Sequence, residues 1–174
     1  MPTNKKEGIV FGLIMSYTMT TWMELFNSAH NGGGFASLAD APLGRTVVEI
    51  LFLGLIVFVV SNLFGNKAGA AFAAKHSHPG TDNPYFCKLL RQAGTVAVMC
   101  PTMSFIATIL FQIVFAENPI SPLSILPVFL DTLVRNFPIA FFWNMFVAAP
   151  FTGWLFGKIF AEKKVRVPSS AEMD

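Results

Sequence analysis

The sequence predicts an all-α membrane protein with four transmembrane helices, built as a tandem repeat of a two-helix hairpin. Composition supports this class: hydrophobic residues make up 53 % of the 174 residues and charged residues only 13 %, against about 45–50 % and about 25 % in soluble domains. The mean hydropathy is +0.57. A soluble protein of this size could not cover so much apolar surface with so few charges.

Four long apolar runs support the same class, because about 20 helical residues cross the hydrocarbon core. A basic start before an apolar core also fits a signal peptide, but Asn27-Ser28-Ala29 is a poor cleavage site, so we expect a retained helix. Residues 117–127 hold three prolines, too many for a regular helix. The predicted division is a first repeat over 1–74 (spans 8–28 and 46–74), a cytoplasmic loop over 75–91, a second repeat over 92–162 (spans 92–116 and 130–161) and a polar tail over 163–174.

The basic residues predict the topology. All lysines and arginines except Arg45 and Arg135 lie in or near the N-terminus, the middle loop and the C-terminal end. Basic residues of short loops stay in the cytoplasm, so both termini are expected there, in a multi-pass protein of the bacterial cytoplasmic (inner) membrane. The charge pattern gives no footprint for nucleic acid; the lipid bilayer is the expected partner. Cys87 and Cys100 then lie on or near the reducing side and are expected as free thiols.

Weak internal similarity predicts the duplication. Ser16-Tyr17-Thr18-Met19 aligns with Cys100-Pro101-Thr102-Met103, and Asn62-Leu63-Phe64 aligns with Asn144-Met145-Phe146. Two matches in the same order favour a duplicated helix pair. Both copies then have the same orientation, so the pseudo-twofold axis should run along the membrane normal, in a four-helix bundle.

Two families share features with this chain. The F-P-I-A-F…A-P-F run over Phe137–Phe151 resembles the DUF2798 domain, a small bacterial integral-membrane domain of unknown function, here in tandem. That resemblance implies four helices in the bacterial cytoplasmic membrane and no activity. The segment Phe142–Phe146 is similar to the W-N-x-x-F motif of the proteobacterial antimicrobial-compound efflux family, whose basic-plus-histidine motif has no histidine at Arg91–Gly94 here.

Polar residues recur every four positions in the first and third spans, which places each set on one helix face. One interpretation is close helix packing with hydrogen bonds worth about 0.6 kcal/mol each. The other is the polar lining of a substrate path. Asn62 and Asn144 lie at matching positions of the repeats, and Trp143 precedes the second of them. For these residues too, the alternatives are helix packing and contact with a substrate. The residues expected on such a path are Ser16, Thr20, Glu24, Ser104, Thr108, Gln112, Asn62, Asn144 and Trp143.

Glu24 is the sharpest single candidate, because an ionised side chain at the centre of a span costs about 2.5–3.5 kcal/mol and is usually paired or functional. Glu49, Arg45 and Arg135 lie at similar predicted depth, so they are the candidates for an outer ion pair, with Glu24–Arg135 as one geometry. The alternatives for Glu24 are pairing or headgroup solvation, and proton coupling.

The sequence predicts no enzyme, no metal and no cofactor. It has no phosphate-binding loop, nucleophile elbow or His-Glu-x-x-His motif, and the lone His76-Ser77-His78 motif favours a solvated loop over a metal site. Two functions stay open: a small-molecule transporter or efflux-like protein, and a non-transporting membrane protein with a regulatory, scaffolding or envelope-protective role. A polar cavity between the spans would favour the first, and a dry bundle the second. Much apolar surface is left for lipid or a second copy, so a homodimer is one expected assembly.

Overall fold

The computed structural model describes residues 4–34, 43–78, 80–114, 116 and 118–164, without the side chains of 43–45 and 161–164. This part of the chain is all-helical. In chain order the elements are α1 (Lys5–Asn31), α2 (Leu43–Val60), the π-helical segment π1 (Ser61–Gly65), α3 (Asn66–His76), α4 (Pro84–Ile109), π2 (Leu110–Val114), α5 (Pro122–Trp143), π3 (Asn144–Ala148) and α6 (Ala149–Lys164).

These elements join into four long helices, which we call spans 1 to 4. Span 1 is α1, span 2 is α2–π1–α3, span 3 is α4–π2 and span 4 is α5–π3–α6. Each contains a stretch long and apolar enough to cross a membrane: Lys5–Asn31, Thr46–His76, Pro84–Val114 and Pro122–Phe160. The prediction of four such helices is confirmed.

Two spans begin earlier in the chain than predicted, and a proline explains each start. Span 3 begins at Pro84 instead of residue 92, because Asn83 caps the helix by accepting a hydrogen bond from the Tyr85 N–H at 2.8 Å. Span 4 begins at Pro122 instead of residue 130, within the stretch predicted to be irregular. Proline is favoured in the first turn of a helix, where its missing N–H would have no partner. Pro127 lies one turn further on and removes one hydrogen bond near the helix start.

The spans pack as a ring in which each contacts two neighbours. Helix α1 contacts α2 on one side and α6 on the other, α3 contacts α4, and α4 contacts α5. Spans 1 and 3 therefore face each other across the ring, as do spans 2 and 4. We call the end of the ring near Lys5 and Pro84 the terminal end, and the end near Asn31 and Pro122 the hairpin end.

Glycine allows the closest approach, between α3 and α4. A Cβ atom on Gly69 would lie 2.5 Å from the carbonyl oxygen of Arg91, and a Cβ atom on Gly94 would lie 2.5 Å from Cβ of Phe72. Small residues let helices approach in this way where lipid supplies no hydrophobic driving force between them.

Aromatic pairs join span 1 to span 4. The rings of Trp22 and Trp143 are stacked with centroids 4.1 Å apart and planes 7° from parallel. Phe11 and Phe156 meet edge to face at 5.5 Å, nearer the terminal end. Offset and edge-to-face arrangements are the favoured geometries of aromatic pairs.

The π segments mark matching places in spans 2 and 4. Segment π1 begins at Ser61 and π3 at Asn144, within one residue of the register that aligns Asn62 with Asn144. π-Bulges occur frequently at functional sites. The shared position fits a duplication, which stays a prediction.

Candidate functional site

The ring of spans encloses a cavity of about 1210 Å³ lined by residues of all four spans. It extends from Lys5, Lys88 and Arg91 at the terminal end to Glu24 and Thr46 at the hairpin end. Binding pockets for drug-sized ligands are typically about 300–1,000 Å³. The cavity is therefore large enough for a small organic molecule.

Most residues that the sequence marked for a substrate path line this cavity. Trp143 does not: it lies outside the lining and stacks on Trp22. The side chain of Arg45 lies outside the described residues. The predicted residues in the lining are Ser16, Thr20, Glu24, Glu49, Asn62, Ser104, Thr108, Gln112, Arg135 and Asn144.

The two polar stripes are buried where they face the cavity. Ser16, Thr20, Ser104 and Thr108 are each 4–5 % exposed. The hydroxyl of Thr108 donates to the Ser104 carbonyl oxygen one turn earlier, at 2.8 Å, the usual way in which a helix satisfies a threonine internally. Thr20 has no such bond: its Oγ1 has no hydrogen-bond partner among the described residues.

Four buried oxygen atoms without partners belong to residues of the cavity lining. They are Thr20 Oγ1 and Asn27 Oδ1 of span 1 and the amide oxygens of Asn136 and Asn144 of span 4. Thr20, Asn136 and Asn144 are 5 %, 6 % and 4 % exposed. A buried polar atom without a partner costs about 1–3 kcal/mol. The residues line the cavity, but these oxygen atoms are themselves shielded from a water-sized probe.

Sequence reasoning missed Asn136, although a signal for it exists. Asn136, Ala140 and Asn144 follow one another at intervals of four residues, and all three line the cavity. The polar stripes of spans 1 and 3 were recognised by the same spacing. The apolar residues around Asn136 obscure the pattern in span 4.

The two asparagines at matching repeat positions form different hydrogen bonds. The amide Nδ2 of Asn144 donates across the bundle to Met19 Sδ of span 1, at 3.7 Å. The amide Nδ2 of Asn62 donates to the carbonyl oxygen of Phe58 in its own helix, at 2.7 Å. Asn144 thus helps to set the positions of spans 1 and 4, whereas Asn62, which lies within π1, bonds to its own helix.

Charged residues gather at the hairpin end of the cavity. Glu24 of span 1 and Glu49 of span 2 both line the cavity there. Arg135 Nη1 pairs instead with Asp131 Oδ2, one turn away on its own helix, at 3.6 Å. Within the described residues no ion pair joins Glu24 to Arg135, and the outer ion-pair candidates stay predictions. Arg135 pairs with Asp131 because residues four apart in a helix are neighbours on one face.

His76 is the last residue of α3, and His78 follows two residues later. The backbone N–H of His78 donates to Asp82 Oδ2 at 2.7 Å, and its ring Nδ1 lies 3.9 Å from the same oxygen. The His76 ring lies against Phe72, with centroids 4.6 Å apart. In the described part of the chain, no group of three or more His, Cys, Asp or Glu residues is arranged to hold a metal ion.

The fold and the cavity define the class of this protein: its described part is all-helical, with four helices long and apolar enough to span a membrane, arranged around a cavity whose largely apolar lining also holds polar residues. No family model matches the chain, and no solved structure matches it. Among curated proteins it is similar to the uncharacterized protein YybC of Bacillus subtilis strain 168, with 23 % identity over 164 residues, 94 % of this chain and 97 % of that protein. The resemblance to the two-helix domain stays a prediction.

Proposed function

We propose that this protein is a small-molecule transporter of the efflux-like kind, whose substrate moves through the central cavity. The observation that carries this proposal is the cavity of about 1210 Å³, whose lining includes polar residues of all four spans, among them Thr20, Asn62 and Asn144. A regulatory or scaffolding bundle would be expected to satisfy its polar side chains between packed helices. Here polar residues line a space that a ligand can enter.

The charges give the proposed path two different ends. Lys5, Lys88 and Arg91 line the terminal end, and the lining there holds no acidic residue among those described. Glu24 and Glu49 line the hairpin end together with Arg135. The positive-inside rule supports a cytoplasmic terminal end, and hence a bacterial inner-membrane protein with both termini in the cytoplasm. Proton coupling at Glu24 is part of the proposal, and the neighbouring carboxyl group of Glu49 supports it.

Cysteine accessibility tests whether the path is hydrated. In a Cys87→Ser, Cys100→Ser background, Ser104→Cys places a thiol in the cavity lining, and Phe105→Cys places one on the outer surface, where Phe105 is 47 % exposed. The thiolate, which forms only where water is present, attacks a charged, membrane-impermeant methanethiosulfonate reagent, forming a mixed disulfide and releasing methanesulfinate. We expect labelling of Ser104→Cys and little of Phe105→Cys in membrane vesicles. A Ser104→Cys thiol that stays unlabelled would indicate a dry bundle and contradict the proposal.

Blocking the cavity tests transport itself, with ethidium as the probe in sealed vesicles. Ala140 is 5 % exposed and lines the cavity, whereas Val134, on the same helix, is 73 % exposed. Ala140→Trp should fill the space and abolish ethidium movement, and Val134→Trp should leave it intact. Equal movement in vesicles with and without the protein would count against transport of this probe.

A further inference from the structure

Sulfur atoms line the cavity on two facing spans. Three methionines follow one another at intervals of four residues on span 1, and two methionines flank a cysteine on span 3. Methionine commonly fills irregular gaps in cores, but these methionines all belong to the lining of the cavity. The sulfur-bearing residues in the lining are Met15, Met19, Met23, Met99, Cys100 and Met103.

Three of these residues belong to one packed cluster or border it. Val96, Cys100 and Ala140 form a buried cluster between spans 3 and 4, and Met19 and Met23 of span 1 pack against it. Cys100 is a free thiol and is 9 % exposed. Two thioethers and one thiol, contributed by spans that face each other across the ring, therefore share one neighbourhood beside the cavity.

We propose that Met19, Met23 and Cys100 form a binding site for a soft monovalent metal ion, Cu(I) or its analogue Ag(I). Thioether and thiolate sulfur are the protein ligands that select Cu(I) over harder ions. The site is inferred from the cavity lining and does not depend on transport. It differs in ligand type from the histidine and carboxylate sites considered in the sequence.

Charge balance favours a monovalent ion. Cysteine binds metal as its thiolate, so the Cys100 thiol loses its proton to solvent when the Cu–S bond forms. The bound Cu(I) ion replaces the proton that leaves Cys100, so the net charge of the site does not change. A divalent ion would add a charge within a span, which a bilayer disfavours.

Asn144 acts as a positioning residue in this site. Its Nδ2 donates to Met19 Sδ at 3.7 Å, which orients the thioether and leaves the second sulfur lone pair for the metal. Hydrogen bonds to ligands of this kind tune metal affinity, and their loss typically costs about 10–100-fold. Asn144 thus both lines the cavity and bonds to one of the proposed metal ligands.

Cu(I) binding to the purified full-length protein in detergent tests the site, by competition with the chromophoric chelator bicinchoninate under reducing conditions. A Cys87→Ser background leaves Cys100 as the single thiol. We expect one Cu(I) per chain, with one proton released per ion. Met19→Leu, Met23→Leu and Cys100→Ala should each weaken binding by at least about tenfold, because leucine keeps the volume of methionine but has no sulfur.

Met145→Leu is the matched control, since Met145 is 7 % exposed on span 4 but does not line the cavity; it should leave Cu(I) affinity unchanged. Absence of Cu(I) binding would overturn the site. An equal loss of Cu(I) affinity in Met145→Leu would overturn it too. So would a loss of affinity in Cys100→Ala without one in Met19→Leu and Met23→Leu. Such a failure would leave the labelling of Ser104→Cys, and with it the proposed transport path, unaffected. A dry cavity with Cu(I) still bound would overturn transport and keep the site.

Discussion

Gly69→Ala is expected to destabilise the bundle strongly, because the new methyl group has no space between spans 2 and 3. It would contact Thr95 Oγ1 and lie 2.5 Å from the carbonyl oxygen of Arg91. The Thr95 hydroxyl already donates to that carbonyl at 2.9 Å, and the backbone of α4 cannot move without shifting the whole span. Overpacking of this kind costs about 1–3 kcal/mol or more. Thermal unfolding in detergent, with gel filtration for dispersity, measures the loss.

Gly153 and Gly157 provide the matched controls in α6. A Cβ atom on either meets nothing within 4 Å. Alanine is favoured over glycine in a helix interior by about 0.8–1.0 kcal/mol, so both substitutions should be neutral or slightly stabilising. If Gly69→Ala were as stable as Gly157→Ala, α3 and α4 would not approach as closely as described.

Trp143→Ala is expected to lower the unfolding free energy by about 3 kcal/mol, the lower end of the range for large aromatic residues in packed sites. The substitution removes the ring that stacks on Trp22 at 4.1 Å and joins span 4 to span 1. Dispersion contacts carry much of helix association in membranes, so a void at this contact weakens it directly. Reversible unfolding in mixed micelles, followed by circular dichroism, gives the free energy.

Trp154 is the control for this prediction. It is 55 % exposed, and Lys158 Nζ lies over its ring at 4.3 Å, so Trp154→Ala should have a small effect. A double-mutant cycle of Trp22→Ala with Trp143→Ala should give a coupling energy of about 0.5–1.5 kcal/mol. Additive single-mutant effects would show that the two rings stabilise the bundle independently.

The helices could be predicted from sequence because their signals are local. The number of spans follows from the length and apolarity of each run, and the polar stripes follow from a spacing of four residues. The starts of spans 3 and 4 were predicted less well. Pro84 and Pro122 were treated as loop residues, although proline is also the residue favoured at the first turn of a helix. The capping bond of Asn83, which distinguishes the two roles, is a matter of geometry.

Part of the candidate site could be predicted from sequence, because the spacing of polar residues along one helix is also a local signal. Ser16, Thr20 and Ser104 share helix faces, so their common orientation follows from sequence alone. Trp143 was a candidate for the path, but it stacks on Trp22 and does not line the cavity. A Glu24–Arg135 pair was considered possible from depth alone, whereas Arg135 pairs with Asp131 on its own helix.

Sequence alone determined that this protein has four long apolar helices and that polar residues line one face of two of them, since composition and helical period are properties of a single segment. The tertiary structure decided that these faces surround a cavity instead of a packed seam, that Glu24 lies beside Glu49, and that Met19 and Met23 pack against the cluster containing Cys100. Those relations join residues far apart in the chain. They depend on the order of the spans around the ring and on the distances between them. Close contacts, such as that of Gly69 with α4, fix those distances.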